Sequence, residues 1–216
     1  MLNWNEIETV LLDMDGTLLD LHFDHYFWQI QLPQKWGELN GLDLPTAKAE
    51  MQPIFQNIEA TLPWYCLDYW SEQLKMDVFE IKNGIEHLIK IRPHVEVFLE
   101  YLRETDKKIV LVTNSHKKFI DLKMELTDLE QHFQHIFDAH SFGVPKENLK
   151  FWQILGEQLS FDEESTLLID DNLSVLRSAQ SHGIRHLLAI AKPNSQAPIM
   201  HTAEFEAVSN FKSLCY

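Results

Sequence analysis

The sequence predicts an α/β fold: a Rossmann-like parallel sheet flanked by helices, with an inserted helical domain. Three observations carry this expectation. Short, largely apolar runs at Thr9–Leu12, Ile109–Val112, Thr166–Ile169 and Leu187–Ile190 have the composition of strands buried on both faces. Helical stretches alternate with them, as crossovers between parallel strands require. The stretch from Leu12 to Ile109 is far longer than the roughly a dozen residues that one crossover needs, so an extra domain fills it. That domain is assigned to residues 20–90, leaving 1–19 and 91–216 as the α/β core.

Taken along the chain, the first run is the first strand. The insert then reads as helical, with Pro45 and Pro63 suited to first turns, Asp77 and Glu80 resembling an N-cap and its partner, and Pro33 and Pro53 expected to break or kink their helices. It is rich in aromatics, among them Phe23, Tyr26, Trp28, Phe55, Trp64, Tyr65 and Trp70, most of which suit the core of a small helical bundle. After it, a helix is expected from Pro93 to Glu104 with proline at its first position. His132 and His135 then fall three apart on an expected helix, where packing or surface roles outweigh metal binding. A last helix around Ser174–Ser181 stops at Gly183.

Composition narrows the partners. The chain has 33 acidic residues against 18 Lys and Arg, a net charge of −15, which disfavours nucleic-acid polymers and anionic membranes. A hydrophobic fraction of 45% supports a packed core and argues against disorder. Apolar runs stay far below the ~20 residues of a membrane span, and the N-terminal residues do not resemble a signal peptide. Cys66 and Cys215 offer neither a disulfide framework nor metal-ligand spacing, so a reduced cytoplasmic location is expected.

The chemistry gathers where the strands end. In open α/β sheets ligands bind beyond the carboxyl ends of the strands, and four such ends here carry polar groups. The first runs into Asp13-Met14-Asp15-Gly16-Thr17, with two carboxylates two positions apart and a glycine that permits a sharp turn. The second runs into Thr113-Asn114-Ser115, a hydroxyl and an amide at a strand-to-helix junction. Gly143-Val144-Pro145-Lys146 supplies a cation, and Ile169 is followed by Asp170-Asp171-Asn172. Each group taken singly also suits helix capping or a solvated surface. Their conjunction at one sheet edge is not explained in that way.

This order of motifs resembles the haloacid-dehalogenase-like phosphohydrolases over essentially the whole chain. Asp13 and Asp15 match the first motif, Thr113 the second, Lys146 the third, and Asp170 with Asp171 the fourth. The resemblance implies that Asp13 is a nucleophile forming an aspartyl-phosphate, and that Asp15 protonates the leaving group and then activates water. It implies that Thr113, Asn114 and Lys146 bind the phosphoryl group. Mutual repulsion among Asp13, Asp15, Asp170 and Asp171 calls for a hard divalent ion, and Mg²⁺ fits. The implied ligands are the Asp13 carboxylate, the Asp15 main-chain carbonyl and Asp170, with Asp171 acting indirectly. The fourth motif departs from the commoner pattern, which places its second acid further along, so Asp171 and Ser174 both remain candidates for the secondary metal role.

In this family an insert after the first motif is a cap that closes over the site, with hinges expected near Asp20 and near Ile91-Arg92. The segments Phe23-Asp24-His25-Tyr26-Phe27-Trp28, Trp64-Tyr65-Cys66-Leu67-Asp68 and Phe142-Gly143-Val144-Pro145-Lys146-Glu147 are similar to the bacterial GMP/IMP 5′-nucleotidase branch. That similarity implies a purine mononucleotide as substrate. Phe23, Tyr26, Trp64 and Tyr65 are then candidates to meet the base, with His22 and Asp24 as polar contacts. The insert carries more acids than bases, which suits one phosphate met locally rather than an extended phosphate backbone. The other readings are a phosphatase of a sugar phosphate or phosphoglycolate, a true dehalogenase, and an acidic scaffold without turnover. Asp15 argues against dehalogenation, since a departing halide needs no proton.

Overall fold

The computed structural model describes residues 2–215. Its centre is β1 (Thr9–Leu12), the fully buried run Thr-Val-Leu-Leu. With β2 (Lys108–Thr113), β3 (His135–Asp138), β4 (Thr166–Asp170), β5 (His186–Ile190) and β6 (Ala207–Val208) it forms one sheet in the order β3-β2-β1-β4-β5-β6. Every neighbouring pair is parallel. Between β1 and β2 run α1 (His22–Tyr26), a π-helical turn (Phe27–Gln31), α2 (Leu32–Asn40), α3 (Leu44–Gln56), α4 (Leu67–Leu74) and α5 (Val95–Glu104). Then α6 (Lys117–Thr127) follows β2, α7 (Ala139–Phe142) and α8 (Leu149–Gln158) join β3 to β4, and α9 (Leu173–His182) joins β4 to β5.

Strand alternation divides the core into two layers. Val10, Leu12, Ile109, Leu111, Leu167 and Ile169 pack on one face with Phe98 and Leu102 of α5 and Met124 of α6. Leu11, Val110, Val112 and Leu168 pack on the other with Phe151, Trp152 and Leu155 of α8 and Leu176 of α9. Burying each such side chain contributes roughly 1.5–3 kcal/mol, which is why a sheet covered on both sides reads as unbroken apolar runs. Among the described residues no helix is long and apolar enough to cross a membrane.

The four expected strands are present, and two edge strands join them. β3 and β6 escape an apolar-run criterion because edge strands need not be buried: His135 and Ala207 are exposed. The helix expected to carry His132 and His135 is absent. His132 closes a 3-10 turn (Glu130–His132), and His135 opens β3. Likewise α5 starts at Val95 rather than Pro93, after His94 adopts a left-handed conformation with φ 67°. α9 does end against Gly183, at φ 118°.

Within the insert, Pro33 does not break the helix. The turn Phe27–Gln31 widens to π geometry, so the Leu32 N–H reaches the Phe27 carbonyl and Pro33 enters the first turn of α2, where its missing N–H is harmless. Pro53 lies inside α3 near its end. Pro45 occupies the first turn of α3 beneath Asp43, whose Oδ1 accepts from the Thr46 N–H at 3.0 Å. Pro63 sits similarly in a 3-10 turn (Leu62–Tyr65). Asp77 accepts from the N–H groups of Phe79 and Glu80, while the Glu80 carboxylate takes a hydrogen bond from Asn83 instead of returning to Asp77.

The insert shares the core of one sheet face. Phe23, Phe27, Met51 and Trp70 belong to the same buried cluster as α5 and α6, and Phe119 of α6 packs edge-on against Phe23 and Phe27 at ring distances of 5.7 and 5.1 Å. The two chain crossings run side by side: the Asp20 N–H donates to Lys90 O and the Arg92 N–H to Leu18 O, both at 2.9 Å. The buried Arg92 guanidinium donates to Gly16 O and Thr17 O at 2.8 and 3.1 Å and to Lys192 O and Ser209 O at 3.0 and 3.1 Å. One side chain therefore ties the loop after β1 to two C-terminal loops. Arg92→Met is expected to lower unfolding free energy by about 3 kcal/mol or more, because carbonyls buried around a charged donor lose it. Urea unfolding checks this, with a lower midpoint at unchanged slope as the expected result.

Candidate active site

The carboxyl ends of β1, β2 and β4 converge because adjacent parallel strands end together. The Asp13 N–H continues the ladder to Ile169 O at 3.1 Å, which sets Asp13 beside Asp170. Between them enters Lys146, almost fully buried, its Nζ donating to Asp13 Oδ1 at 2.6 Å, Asp170 Oδ2 at 2.7 Å and Val112 O at 3.1 Å. The backbone of Lys146 is held on both sides. Asn114 Oδ1 accepts its N–H at 2.8 Å, and Trp152 Nε1 donates to its carbonyl at 2.9 Å. An all-donor ammonium in this position satisfies one oxygen of each carboxylate and holds their mutual repulsion in check.

Burial pushes the Asp13 carboxyl up to about 7; the ammonium of Lys146 opposes that rise and Asp170 adds to it. Asp170 and Asp171 are raised for the same leading reason, Asp171 strongly. For Lys146, burial acts against the charged form, but Asp13 and Asp170 outweigh it and the ammonium is held above its ordinary value. Asp13 Oδ2 is buried without a partner. Carboxylate oxygens of Asp13, Asp170 and Asp171 lie within 4.8 Å of one another. A converging set of hard oxygens, one of them orphaned, fits a divalent cation of the Mg²⁺ class. The close packing of the loop has a backbone cause: Gly16 has φ +89°, and a Cβ there would stand 2.3 Å from Asp171 Oδ2.

Asp15 is held separately from Asp13. Its Oδ1 accepts from Lys123 Nζ of α6 at 2.7 Å, and the same ammonium binds both oxygens of Asp24 in α1 at 2.8 and 2.9 Å. Burial raises the Asp24 carboxyl to about 7, with Asp15 adding to the rise and Lys123 opposing it. Thr113 is buried and its Oγ1 accepts the Ser115 N–H at 3.0 Å, which leaves the hydroxyl proton free to donate. A cavity of about 510 Å³ opens over these groups. Asp13, Asp15, Thr113, Lys146, Asp170 and Asp171 form its floor, and Trp28, Phe55, Trp64, Tyr65 and Trp70 of the insert form an aromatic wall. Another cavity, about 470 Å³ beside α6, is lined by Asp121, Glu125, Asp128 and Glu130 and contains none of these groups.

Several sequence expectations change here. Phe23 is buried against Phe27 and Phe119, and Tyr26 packs beside His22; neither ring lines the cavity, because that face of α1 points into the shared core. His22 also stands outside it, its Nδ1 buried and unpartnered. Asp24 lines the cavity, but its carboxylate is taken up by Lys123. Asn114 lines it as well, yet its side chain is engaged in holding Lys146 and in donating to Glu147 Oε2 at 2.9 Å. Asp171, expected to act indirectly, brings its carboxylate directly into the acidic cluster, whereas Ser174 is exposed and outside it. Trp64 and Tyr65 line the cavity as expected.

Sequence reasoning missed Lys123 and Glu147. Lys123 had a signal, a lysine among Phe119, Ile120 and Met124 on the apolar face of an amphipathic helix. Glu147 had none beyond adjacency to Lys146. It accepts from Asn114, from Asn172 Nδ2 at 3.1 Å and from the Tyr65 hydroxyl at 2.5 Å, joining two strand ends to the insert. Burial, then the Glu147 carboxylate, holds the Tyr65 phenol far above its ordinary value, so it remains a donor. His116, beside the second motif, caps α6 and approaches Asp68 of the insert at 3.5 Å.

Known proteins resemble this chain over most of its length. A family model described as haloacid dehalogenase-like hydrolase matches residues 7–183. The GMP/IMP nucleotidase YrfG of Escherichia coli (strain K12) is 41% identical over 192 residues, covering 89% of this chain and 86% of that protein. A phosphoglycolate phosphatase of Aquifex aeolicus (strain VF5) is 26% identical over 202 residues, with 89% and 90% covered. Among solved structures, a HAD phosphatase from Thermococcus onnurineus shares the fold, with a TM-score of 0.76 over 93% of each chain at 22% identity.

The raised carboxyls predict an unusual stability profile. A carboxyl whose folded value of about 7 exceeds its unfolded value near 3.8 contributes stability fully present below 3.8 and lost as pH rises through about 7. The metal-free protein is therefore expected to melt at a higher temperature at pH 6 than at pH 8. Added Mg²⁺ should raise the melting temperature more at pH 8, where it does not compete with protons. Differential scanning calorimetry with and without EDTA checks both signs. Gly16→Ala, which forces Asp171 out of the cluster, should remove most of the Mg²⁺-dependent shift.

Proposed function

The chain belongs to the haloacid dehalogenase-like hydrolase family, and on that premise we propose that it is a Mg²⁺-dependent phosphomonoesterase hydrolysing purine 5′-mononucleotides such as GMP and IMP. The observation that carries this reading is the sorting of two neighbouring carboxylates by two buried lysines. Asp13 faces Lys146 and the acidic cluster, and Asp15 faces Lys123. A nucleophile and an acid are thereby kept in different surroundings at one cavity.

In the proposed reaction an Asp13 carboxylate oxygen attacks phosphorus, and the bond from phosphorus to the nucleoside 5′-oxygen breaks. Asp15 gives its proton to that oxygen, since an alkoxide is a poor leaving group. Asp15, now ionised, then takes a proton from water. The water oxygen attacks phosphorus, the bond to Asp13 breaks, and phosphate leaves with Asp13 restored. Lys146 screens the nucleophile from the phosphoryl charge and, with the Thr113 hydroxyl, holds phosphoryl oxygens. Asp13, Asp170, Asp171 and the Asp15 main-chain carbonyl would hold Mg²⁺, which would supply further positive charge to the phosphoryl oxygens.

Residues 20–90 act as the cap in this reading. The Tyr65 contact to Glu147 and the Lys118 Nζ contact to Asp68 at 2.6 Å seat it over the cavity, and closure excludes water from the first step. Support for a purine comes from the 41% identity to a GMP/IMP nucleotidase and from the aromatic wall, where stacking a base contributes ~1–3 kcal/mol. The aromatics assigned to the base are Trp28, Trp64 and Tyr65. A cytoplasmic location accords with free Cys66 and Cys215.

Phosphate release from a substrate panel tests the reading. IMP and GMP should exceed sugar phosphates and phosphoglycolate in kcat/KM by about 10-fold or more. EDTA should abolish turnover, and Asp13→Asn should lower kcat by about 10³-fold or more while the fold persists. Comparable rates on the smaller metabolites would overturn the substrate, and an active Asp13→Asn would overturn the mechanism. Trp64→Ala should raise KM for IMP by about 10-fold, as loss of one stacking partner implies, and leave KM for a small phosphomonoester unchanged.

A further inference from the structure

Lys123 lies on the apolar face of α6 and is 1% exposed. A buried ammonium is costly unless each of its three donors is satisfied. Here all three are: one by Asp15 Oδ1 and two by the oxygens of Asp24. The rings of Phe23 and Phe119 stand 5.1 and 5.3 Å from Nζ and help to bury the ammonium. With no donor left over, Lys123 has nothing to offer a substrate. Its effect on the reaction passes through Asp15.

The arrangement spans three parts of the molecule. Asp15 belongs to the loop after β1, Lys123 to the helix after β2, and Asp24 to the first helix of the insert. Lys123 occupies one oxygen of Asp15, a residue that lines the cavity, and leaves the other oxygen to meet a ligand. We propose that Lys123 is a positioning residue, which fixes the Asp15 carboxylate for proton transfer, and that Asp24 makes this orientation depend on seating of the insert. The proposal rests on the reading of Asp15 as the acid and base of the reaction above. It adds a second lysine to that reaction, with a task distinct from that of Lys146.

The test exploits a difference between substrates. Expelling a nucleoside alkoxide needs a proton from Asp15, and expelling p-nitrophenolate does not, whereas hydrolysis of the phosphorylated Asp13 needs Asp15 as base in both cases. In Mg²⁺-loaded enzyme, Lys123→Met is expected to lower kcat on IMP by about 100-fold with KM within about 3-fold. On p-nitrophenyl phosphate the same variant should release a burst of one equivalent of p-nitrophenol before slow turnover, because phosphoryl transfer to Asp13 survives and its hydrolysis does not. Asp24→Asn keeps the Lys123 contact to Asp15 while loosening its link to the insert, and should show the same pattern at about 10-fold. If circular dichroism shows Lys123→Met unfolded, Asp24→Asn decides. Equal losses on both substrates without a burst, or no loss on IMP, would overturn the positioning role. A wild-type enzyme inactive on both substrates would overturn the underlying reading as well, so the two failures are distinguishable.

Discussion

The ammonium of Lys146 between Asp13 and Asp170 is the contact on which the rest of the site depends. Without it, carboxylates at two adjacent strand ends face each other in a region where burial already raises both of them. Such an ion cluster adds little net stability compared with an apolar replacement, but removing the lysine leaves two buried carboxylates uncompensated, a loss of about 3–5 kcal/mol. The protein secures the lysine through its backbone as well as its head group. Asn114 takes the N–H and Trp152 the carbonyl, so two different elements set where Nζ arrives.

From that centre the neighbouring groups follow in order. Gly16 allows the loop to turn tightly enough for Asp171 to enter the cluster, and Arg92 holds the same loop from behind through the carbonyls of Gly16 and Thr17. Glu147, next to Lys146 in the chain, gathers Asn114, Asn172 and Tyr65. The cavity floor, the strand ends and the insert are thus parts of one hydrogen-bonded structure. Lys123 forms a second, smaller centre of the same kind around Asp15.

The insert does not pack as an isolated bundle. Phe23 and Phe27 run into Phe119 of α6, so the aromatics nearest the first motif serve the shared core, while Trp28, Trp64 and Tyr65 face the cavity. Phe23 and Trp28 are near neighbours on one helical run, and composition does not distinguish their fates. Their spacing does: five positions turn a helix by roughly 140°, so the face that meets α6 carries Phe23 and directs Trp28 to the cavity.

Much of the fold was legible because its signals are local. Four buried strands announce themselves as apolar runs, the long gap after Leu12 announces an insert, and Gly183 marks a helix end. The ordered acids, hydroxyl and lysine at strand ends located the floor of the site, since parallel strands in register bring their carboxyl ends to one edge. What the sequence alone left open was pairing at a distance. The entry of Asp171 rather than Ser174 into the acidic cluster, the engagement of Asn114 with Lys146 and Glu147, and the capture of Asp15 by Lys123 each join residues far apart in the chain or separate close alternatives by orientation. Only the tertiary structure decides these, because a side chain's partner is set by where rigid helices and strands carry it, and residue type records only what it is able to bind.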